Sequence, residues 1–343
     1  MSTPTTTTPS PATPSATVRT NMVAAALRRI LIDRSLLLAV LLIAVLLVFG
    51  ATVPYFFTFA NLSGSTAYAV EVGLLALAES IVILTGRGAI DLSVGSMVSL
   101  AGMLFGLAAT RWHLGLAGGV AVALLSGLAM GAVNGFLIAR MRFPALIVTL
   151  ATLYAFGAVP LVLTDTVPIS ELPSGLYGLT QYLAGIPMQV FVIYLPVIVI
   201  VWFALNRTGF GRRLYAVGTN DIAAQFAGLD VARTRFWAYT LSGLLSGLTA
   251  IVATARFASA RPDAGVGMEL MAITIAVLGG IAINGGEGKV SGVVLATFTV
   301  TVINNAISVA NFPAIWQVGA LGVILLLAAL LNSTARRVFG GGR

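Results

Sequence analysis

The chain alternates long apolar runs with short polar interruptions. About 20 apolar residues are what an α-helix needs to cross a bilayer core. Dividing the sequence at its charged, Gly-rich and Pro-rich points predicts ten such helices. They lie near residues 35–53, 64–84, 93–110, 115–139, 144–164, 188–206, 236–256, 268–284, 290–310 and 314–332. The third and eighth runs are short, which predicts tilted, broken or partly re-entrant segments. Residues 1–17, MSTPTTTTPSPATPSAT, carry no charge and little to bury, and are expected to be disordered. The expected organisation is a cytoplasmic tail over 1–34, one transmembrane domain over 35–335 and a short cytoplasmic tail over 336–343.

Composition makes the membrane reading firm. Only 9% of residues are charged and 58% are hydrophobic. A soluble domain carries roughly 25% charged residues, so this chain could not cover a water-facing surface. The absence of Cys excludes disulfides and thiolate metal sites. His113, beside Arg111 and Trp112, reads as an interfacial anchor. With the N-terminus inside, all of the 19 basic residues except Arg111, Arg256 and Arg261 fall on the inner side. That asymmetry accounts for the net charge of +8 without a nucleic-acid partner. Ten crossings place both termini in the cytoplasm; so would eight.

The longest outer segment runs from about Asp165 to Pro187, and the longest inner one covers about 206–235. Neither has room for a soluble catalytic domain. There is no GxxxxGK[ST] phosphate loop and no HExxH zinc motif. No catalytic residue and no metal ligand is assigned, and any ATP-driven step would belong to another subunit.

Polar residues inside apolar surroundings are the candidate functional groups. GRGAIDLSVGS, Gly86 to Ser96, interrupts two greasy runs. Asp91 is expected to cap a helix beginning near Leu92, with Ser93 as a second acceptor and Arg87, four residues earlier, as the neutralising charge. Two roles stay open for Asp91: a cap and packing point, or a contact for a passing solute. Glu71 and Glu79 sit eight residues apart on one predicted helix. A proton- or sodium-coupled carrier would want them, and the alternative is that they face the helix bundle. Asn134, Asn304 and Asn305 either line a polar path or join helices to one another. GGIAINGGEGK, Gly279 to Lys289, is a second Gly-broken turn, and SGLLSGL, Ser242 to Leu248, spaces small residues for close helix packing.

In the inner loop, Asn220 or Asp221 can cap a short helix, IAAQFAG, that Gly228 ends. Ala223, Ala224 and Ala227 would give it a small, smooth face. Such a helix is suited to a groove on a cytoplasmic partner; otherwise it is a solvated basic loop.

GRRLYAVGTNDIAAQFAGLDVARTRFWAYTLSGLLSGLTAIVATAR is similar to the cytoplasmic loop and following helix of permease subunits of bacterial sugar ABC importers. The ribose/xylose/galactose/autoinducer branch is the nearest in character. GAIDLSVGSMVSLAGM, GAVNGFLIARMRFPALIVTLAT and LMAITIAVLGGIAINGGEGKVSGVVLATFTVTVINNAI extend the resemblance over nearly all of 35–335. It implies an all-α multi-pass protein of the bacterial plasma membrane. It implies that Gly218, Asn220, Ala223, Ala224 and Gly228 form a coupling helix for an ATPase. It also places GAIDLSVGS in the translocation core, making Asp91, Ser93, Asn134, Asn304 and Asn305 candidates for the path. Implied partners are a cytoplasmic ABC ATPase holding ATP and Mg, an extracytoplasmic solute-binding protein and a second permease chain, within membrane lipid. No cofactor is expected on this chain. Two departures from the family pattern bear on the solute: Arg87, Gly88 and Ala89 replace the usual pair of glycines before IDLSVG, and GGIAINGGEG carries Ala282 and Asn284 where Ser or Thr is usual.

Overall fold

A computed structural model describes residues 34–313, 315–320, 322–323 and 326. The expected disordered segment 1–17, the C-terminal tail 336–343 and most of the tenth predicted span lie outside the described residues. Among the described residues the protein is all-α apart from one minimal hairpin, Tyr182–Leu183 with Ile186–Pro187.

Each of the first nine predicted spans is a helix. They are α1 (Arg34–Thr52), α2 (Phe59–Ile83), α3 (Val94–Gly106), α4 (Gly115–Gly135), α5 (Ala145–Leu163), α6 (Leu195–Arg207), α9 (Val231–Phe257), α10 (Met268–Leu278) and α11 (Val290–Val309). Two further helices, α7 (Gly209–Thr219) and α8 (Asp221–Phe226), occupy the predicted inner loop. Seven described helices, with their π-helical extensions, are long and apolar enough to cross a membrane. The described parts of α1 and all of α10 are shorter apolar helices. The short third run reaches its length because α3 continues as a π-helix over Leu107–Arg111. The short eighth run stays short: α10 ends at Leu278 and gives way to the Gly-rich turn.

Helices α2, α3 and α9 form the middle of the bundle. From Ala69 to Ile83 every residue of α2 is buried. Helices α4, α5 and α6 instead turn apolar side chains outward, among them Leu125, Leu146, Ile147, Val199 and Ile200. In water such a surface would be unstable; against lipid tails it is at rest.

The small residues of SGLLSGL do what their spacing predicts. Gly243 faces Gly127 and Gly131 of α4, and Gly247 lies against Ala123. A Cβ at Gly131 would come within 2.9 Å of the Gly243 backbone. This leaves no room for a side chain, so the two helix backbones pack directly.

Arg111 and Arg261 lie toward one end of the bundle, where Ile169 and Ala260 pair as an isolated bridge and Gly106 packs on both. Arg87 and Arg235 meet at the other end.

Candidate functional site

The polar stretch after α2 begins at the Arg87 end and turns back into the bundle. Arg87 and Gly88 are exposed, Asp91 and Ser93 are fully buried, and α3 starts at Val94. The helix therefore starts two residues later than expected, and Asp91 stands two residues before its N-cap, Ser93. Its Oδ1 accepts from Ser93 N–H at 3.1 Å and from Ser93 O–H at 2.6 Å. That is an Asx turn ahead of α3 rather than a cap within it. Ser93 makes no side-chain cap either. It donates to Asp91 and accepts from Asn134 Nδ2 at 2.8 Å. Ser242 of α9 donates to Asp91 Oδ2 at 3.3 Å, and Asn134 Nδ2 also reaches Asp91 Oδ1 at 3.4 Å.

The expected Arg87–Asp91 neutralisation does not form. Arg87 has φ +56° and points outward, where its Nε meets Asp221 Oδ2 at 2.7 Å. The turn between the two residues is sharp enough to send them in opposite directions. Asp91 instead spends its oxygens on neutral hydroxyl and amide donors, and its own N–H donates to Glu79 at 2.9 Å. The Ile90 carbonyl accepts from Thr149 of α5 at 3.3 Å and from Tyr239 of α9 at 3.5 Å. Ile90, Asp91 and Ser93 of the broken backbone are thus tied to α2, α4, α5 and α9, so these polar groups are satisfied by protein.

Glu71 and Glu79, although on one helix, have separate partners. Glu71 forms a two-pronged ion pair with Arg256 of α9, whose Nη2 stands 2.9 Å from Glu71 Oε2. The Arg256 guanidinium also lies over the Phe257 ring at 4.1 Å and the Tyr68 ring at 5.4 Å. Sequence reasoning placed Arg256 among outer loop charges and missed this pair. The signal available was an Arg inside the last turn of a long apolar helix.

The three asparagines separate. Asn134 joins the Asp91 cluster, leaving its Oδ1 without a partner. Asn305 exchanges two hydrogen bonds with Asn61, at 2.9 and 3.0 Å, and so clasps α11 to α2. Asn304 is buried with its Nδ2 unpartnered.

In the inner loop, Asn220 is the cap of α8: its Oδ1 accepts from Ala223 N–H at 3.0 Å. Gly228 takes φ +80° beyond the helix end. The expected alanine face is split. Ala224 is buried against the body, whereas Ala223 and Ala227 are exposed together with Ile222 and Phe226. Phe226 is 90% exposed, an unusual position for an aromatic ring at the end of a bundle. Asp221 at the start of α8 is held by Arg87 and by Arg235 Nη2 at 3.0 Å, and Arg235 also reaches the Thr85 carbonyl at 3.4 Å.

Helix α7 went unread because its Gly and Arg residues break any hydrophobic run. Its buried side carries Leu214, Val217 and Gly218. Gly218 stands where three backbone segments meet: a Cβ there would clash with the Leu84 carbonyl and come within 2.5 Å of Gly286 N. Gly286 N–H donates to Leu84 O at 3.1 Å, and Tyr215 O–H donates to Gly288 O at 3.0 Å. Burial pushes the Tyr215 phenol above its ordinary pKa. The two Gly-rich breaks of the sequence therefore touch each other and α7. At the far end, the Arg261 hydrogen bond holds the Asp263 carboxyl below its ordinary range.

Residues 61–329 match the family model described as branched-chain amino acid transport system / permease component. The chain is 36% identical over 265 residues to the ribose import permease protein of Bacillus subtilis (strain 168), covering 76% of this chain and 80% of that one. It is 35% identical over 295 residues to the L-arabinose ABC transporter permease protein of Azospirillum brasilense, 83% of each chain. It is likewise 35% identical over 295 residues to the autoinducer 2 import system permease protein of Enterobacter sp. (strain 638), 84% of each. No solved structure matches. A buried polar break tied to four helices, an outward apolar belt and a family match over most of the chain lead to one assignment: the chain belongs to this permease family, as a multi-pass membrane permease subunit of the ABC-importer type.

Proposed function

We propose that this permease carries a sugar or sugar-like solute across the membrane, driven by a separate ATPase that docks on α8. The observation that carries the docking is the form of α8. It is a capped helix of six residues with Ile222 and Phe226 exposed, Ala224 seated on the body and Asp221 braced by two arginines. Gly218, Asn220, Ala223, Ala224 and Gly228 form this coupling element, and Phe226 is its contact ring. ATP and Mg are held by the partner, and this chain binds no cofactor. A second permease chain and an extracytoplasmic binding protein complete the importer. The relatives named above for ribose, arabinose and autoinducer 2 support a small polyhydroxylated solute over an amino acid, although the family description names the latter. Asp91, Ser93, Asn134 and Asn304 are the candidate path groups. Asn305 is bound to Asn61 and serves assembly.

The test is uptake into proteoliposomes holding the permease, its ATPase and its binding protein. Uptake of labelled sugar should require ATP, and Phe226→Ala should reduce ATPase co-purification and uptake by about tenfold or more, the scale of one buried aromatic anchor. Uptake driven by a proton or sodium gradient without the ATPase would overturn the reading and return the argument to the intramembrane carboxylates.

A further inference from the structure

At the α8 end of the bundle a cavity of about 580 Å³ opens between the end of α4, the start of α5, α8 and the start of α9. Its walls have two characters. One is cationic: Arg87, Arg142 and Arg235 face it together with Asp221 and Asp230. The aspartates do not balance the arginines. Asp221 Oδ2 is shared by Arg87 and Arg235, and Asp230 Oδ1 caps α9 by accepting from Arg233 N–H at 2.8 Å. Arg142 has no ion-pair partner among the described residues. The other wall is apolar, with Ile138, Phe143 and Ala145.

The apolar wall does not end at the cavity. It runs onto Phe136, Met141, Leu146 and Ile147, all more than half exposed, along the π-helical end of α4, the turn after it and the first turn of α5. That face belongs to the surface presented to lipid tails. The cavity therefore stands where a basic pocket meets the hydrocarbon boundary.

We propose that this cavity binds the headgroup of an anionic phospholipid, with the phosphate between Arg142 and the Arg87–Arg235 pair and the acyl chains along Phe143 and Ile147. Guanidinium forks match phosphate oxygens, and basic pockets between helices near the membrane surface are suited to acidic headgroups. A free phosphate would use the arginines and leave the apolar wall idle. An ATPase side chain is the other candidate occupant, since Ile222 and Gln225 of α8 also line the cavity; the most exposed ring of α8, Phe226, does not, and an ATPase side chain would leave the apolar wall of Ile138 and Phe143 toward the lipid unused.

The experiment is thermal unfolding of the delipidated full-length permease in detergent, titrated with phosphatidylglycerol, phosphatidylcholine or inorganic phosphate. Phosphatidylglycerol should raise the Tm saturably while the other two leave it unchanged. Arg142→Gln should weaken the apparent phosphatidylglycerol affinity about fivefold, the scale of one arginine at an anionic surface. Arg140→Gln, which removes a neighbouring exposed charge outside the cavity, should change it less than twofold. Phe143→Ser should weaken it with all arginines in place, and serves if Arg142→Gln fails to fold. Equal protection by phosphatidylcholine would mean a generic lipid effect, and equal protection by phosphate a soluble-anion site. Equal losses in the two arginine variants would mean diffuse surface charge. Displacement of the lipid by saturating ATPase subunit would assign the cavity to the protein partner. Any of these four results overturns the proposal.

Discussion

Asp91 is a fully buried carboxylate whose partners are two hydroxyls, one backbone N–H and one amide. Each of those donors is buried too, so the carboxylate and its neighbours stand or fall together. Asp91→Ala would leave the Ser93 and Ser242 donors without their acceptor in a site with no room for bulk water. At about 1–3 kcal/mol for each stranded donor, the loss of stability should reach roughly 3 kcal/mol. Asp91→Asn keeps one acceptor oxygen and should cost about 1 kcal/mol. Thermal unfolding in detergent separates the two. Equal destabilisation by Ala and Asn would show that the charge, not the acceptor geometry, holds the break together. Transport assays alone could not make that distinction, because both variants sit in the proposed path. The sequence singled out Asp91 and Ser93 correctly as a polar unit but paired Asp91 with Arg87, since proximity in sequence was the only guide. The left-handed backbone at Gly86, Arg87 and Gly88 turns the chain between them, and no residue pattern announces that turn's direction.

At the scale of elements, the α4–α9 contact shows how small residues set the bundle. Gly243→Leu would force a side chain into the Gly127 carbonyl and the Gly131 backbone, where no rotamer escapes the opposing helix. Overpacking of this kind should destabilise by about 3 kcal/mol, seen as a lower Tm and reduced yield. Gly64→Ala in α2, where an added Cβ meets nothing within 4 Å, is the matched control and should leave the Tm unchanged or slightly raised. A tolerated Gly243→Leu would mean that the helices separate more readily than this packing allows. That contact was legible beforehand: the spacing of Ser242, Gly243, Ser246 and Gly247 predicted it. The helices of the first nine apolar runs were legible for the same reason, as an apolar run needs no partner to be recognised. Helix α7 was not, since its apolar side holds only a few residues and Gly209, Gly211 and Gly218 mask the period. The Asn61–Asn305 clasp and the Glu71–Arg256 pair span 244 and 185 residues, and although Arg256 in the last turn of an apolar helix marked a buried charge, nothing local named its partner.

For the whole molecule, the α8 end joins what the sequence keeps apart. Asp221 links α8 to Arg87 in the first Gly-rich break and to Arg235 at the start of α9, and Arg235 continues to the Thr85 carbonyl. Gly218 and Tyr215 then tie α7 to the second break. Under the proposed docking of an ATPase on α8, a push there would reach both breaks, and the first of them ends in the Asp91 cluster. Rigid elements that share such contacts move together, which is what coupling between a docking surface and a membrane path requires. Asp221→Asn tests this at the scale of the whole protein. The Arg87 pair is partly exposed, with Arg87 63% accessible at its side chain, and is worth about 1 kcal/mol or less to the fold; the Arg235 pair is more buried, but Asn keeps an oxygen that accepts from Arg235 and limits the loss there. The Tm should therefore fall by only a few degrees. In the proposed coupling, transport would depend on the pairs differently, because they are the links from α8 to the break and to α9. Sugar uptake should drop about tenfold or more while the ATPase still co-purifies and still hydrolyses ATP, a separation of hydrolysis from transport. If uptake and hydrolysis fell together, Asp221 would act in docking. If neither changed, α8 would move the path through Gly218 and α7 instead.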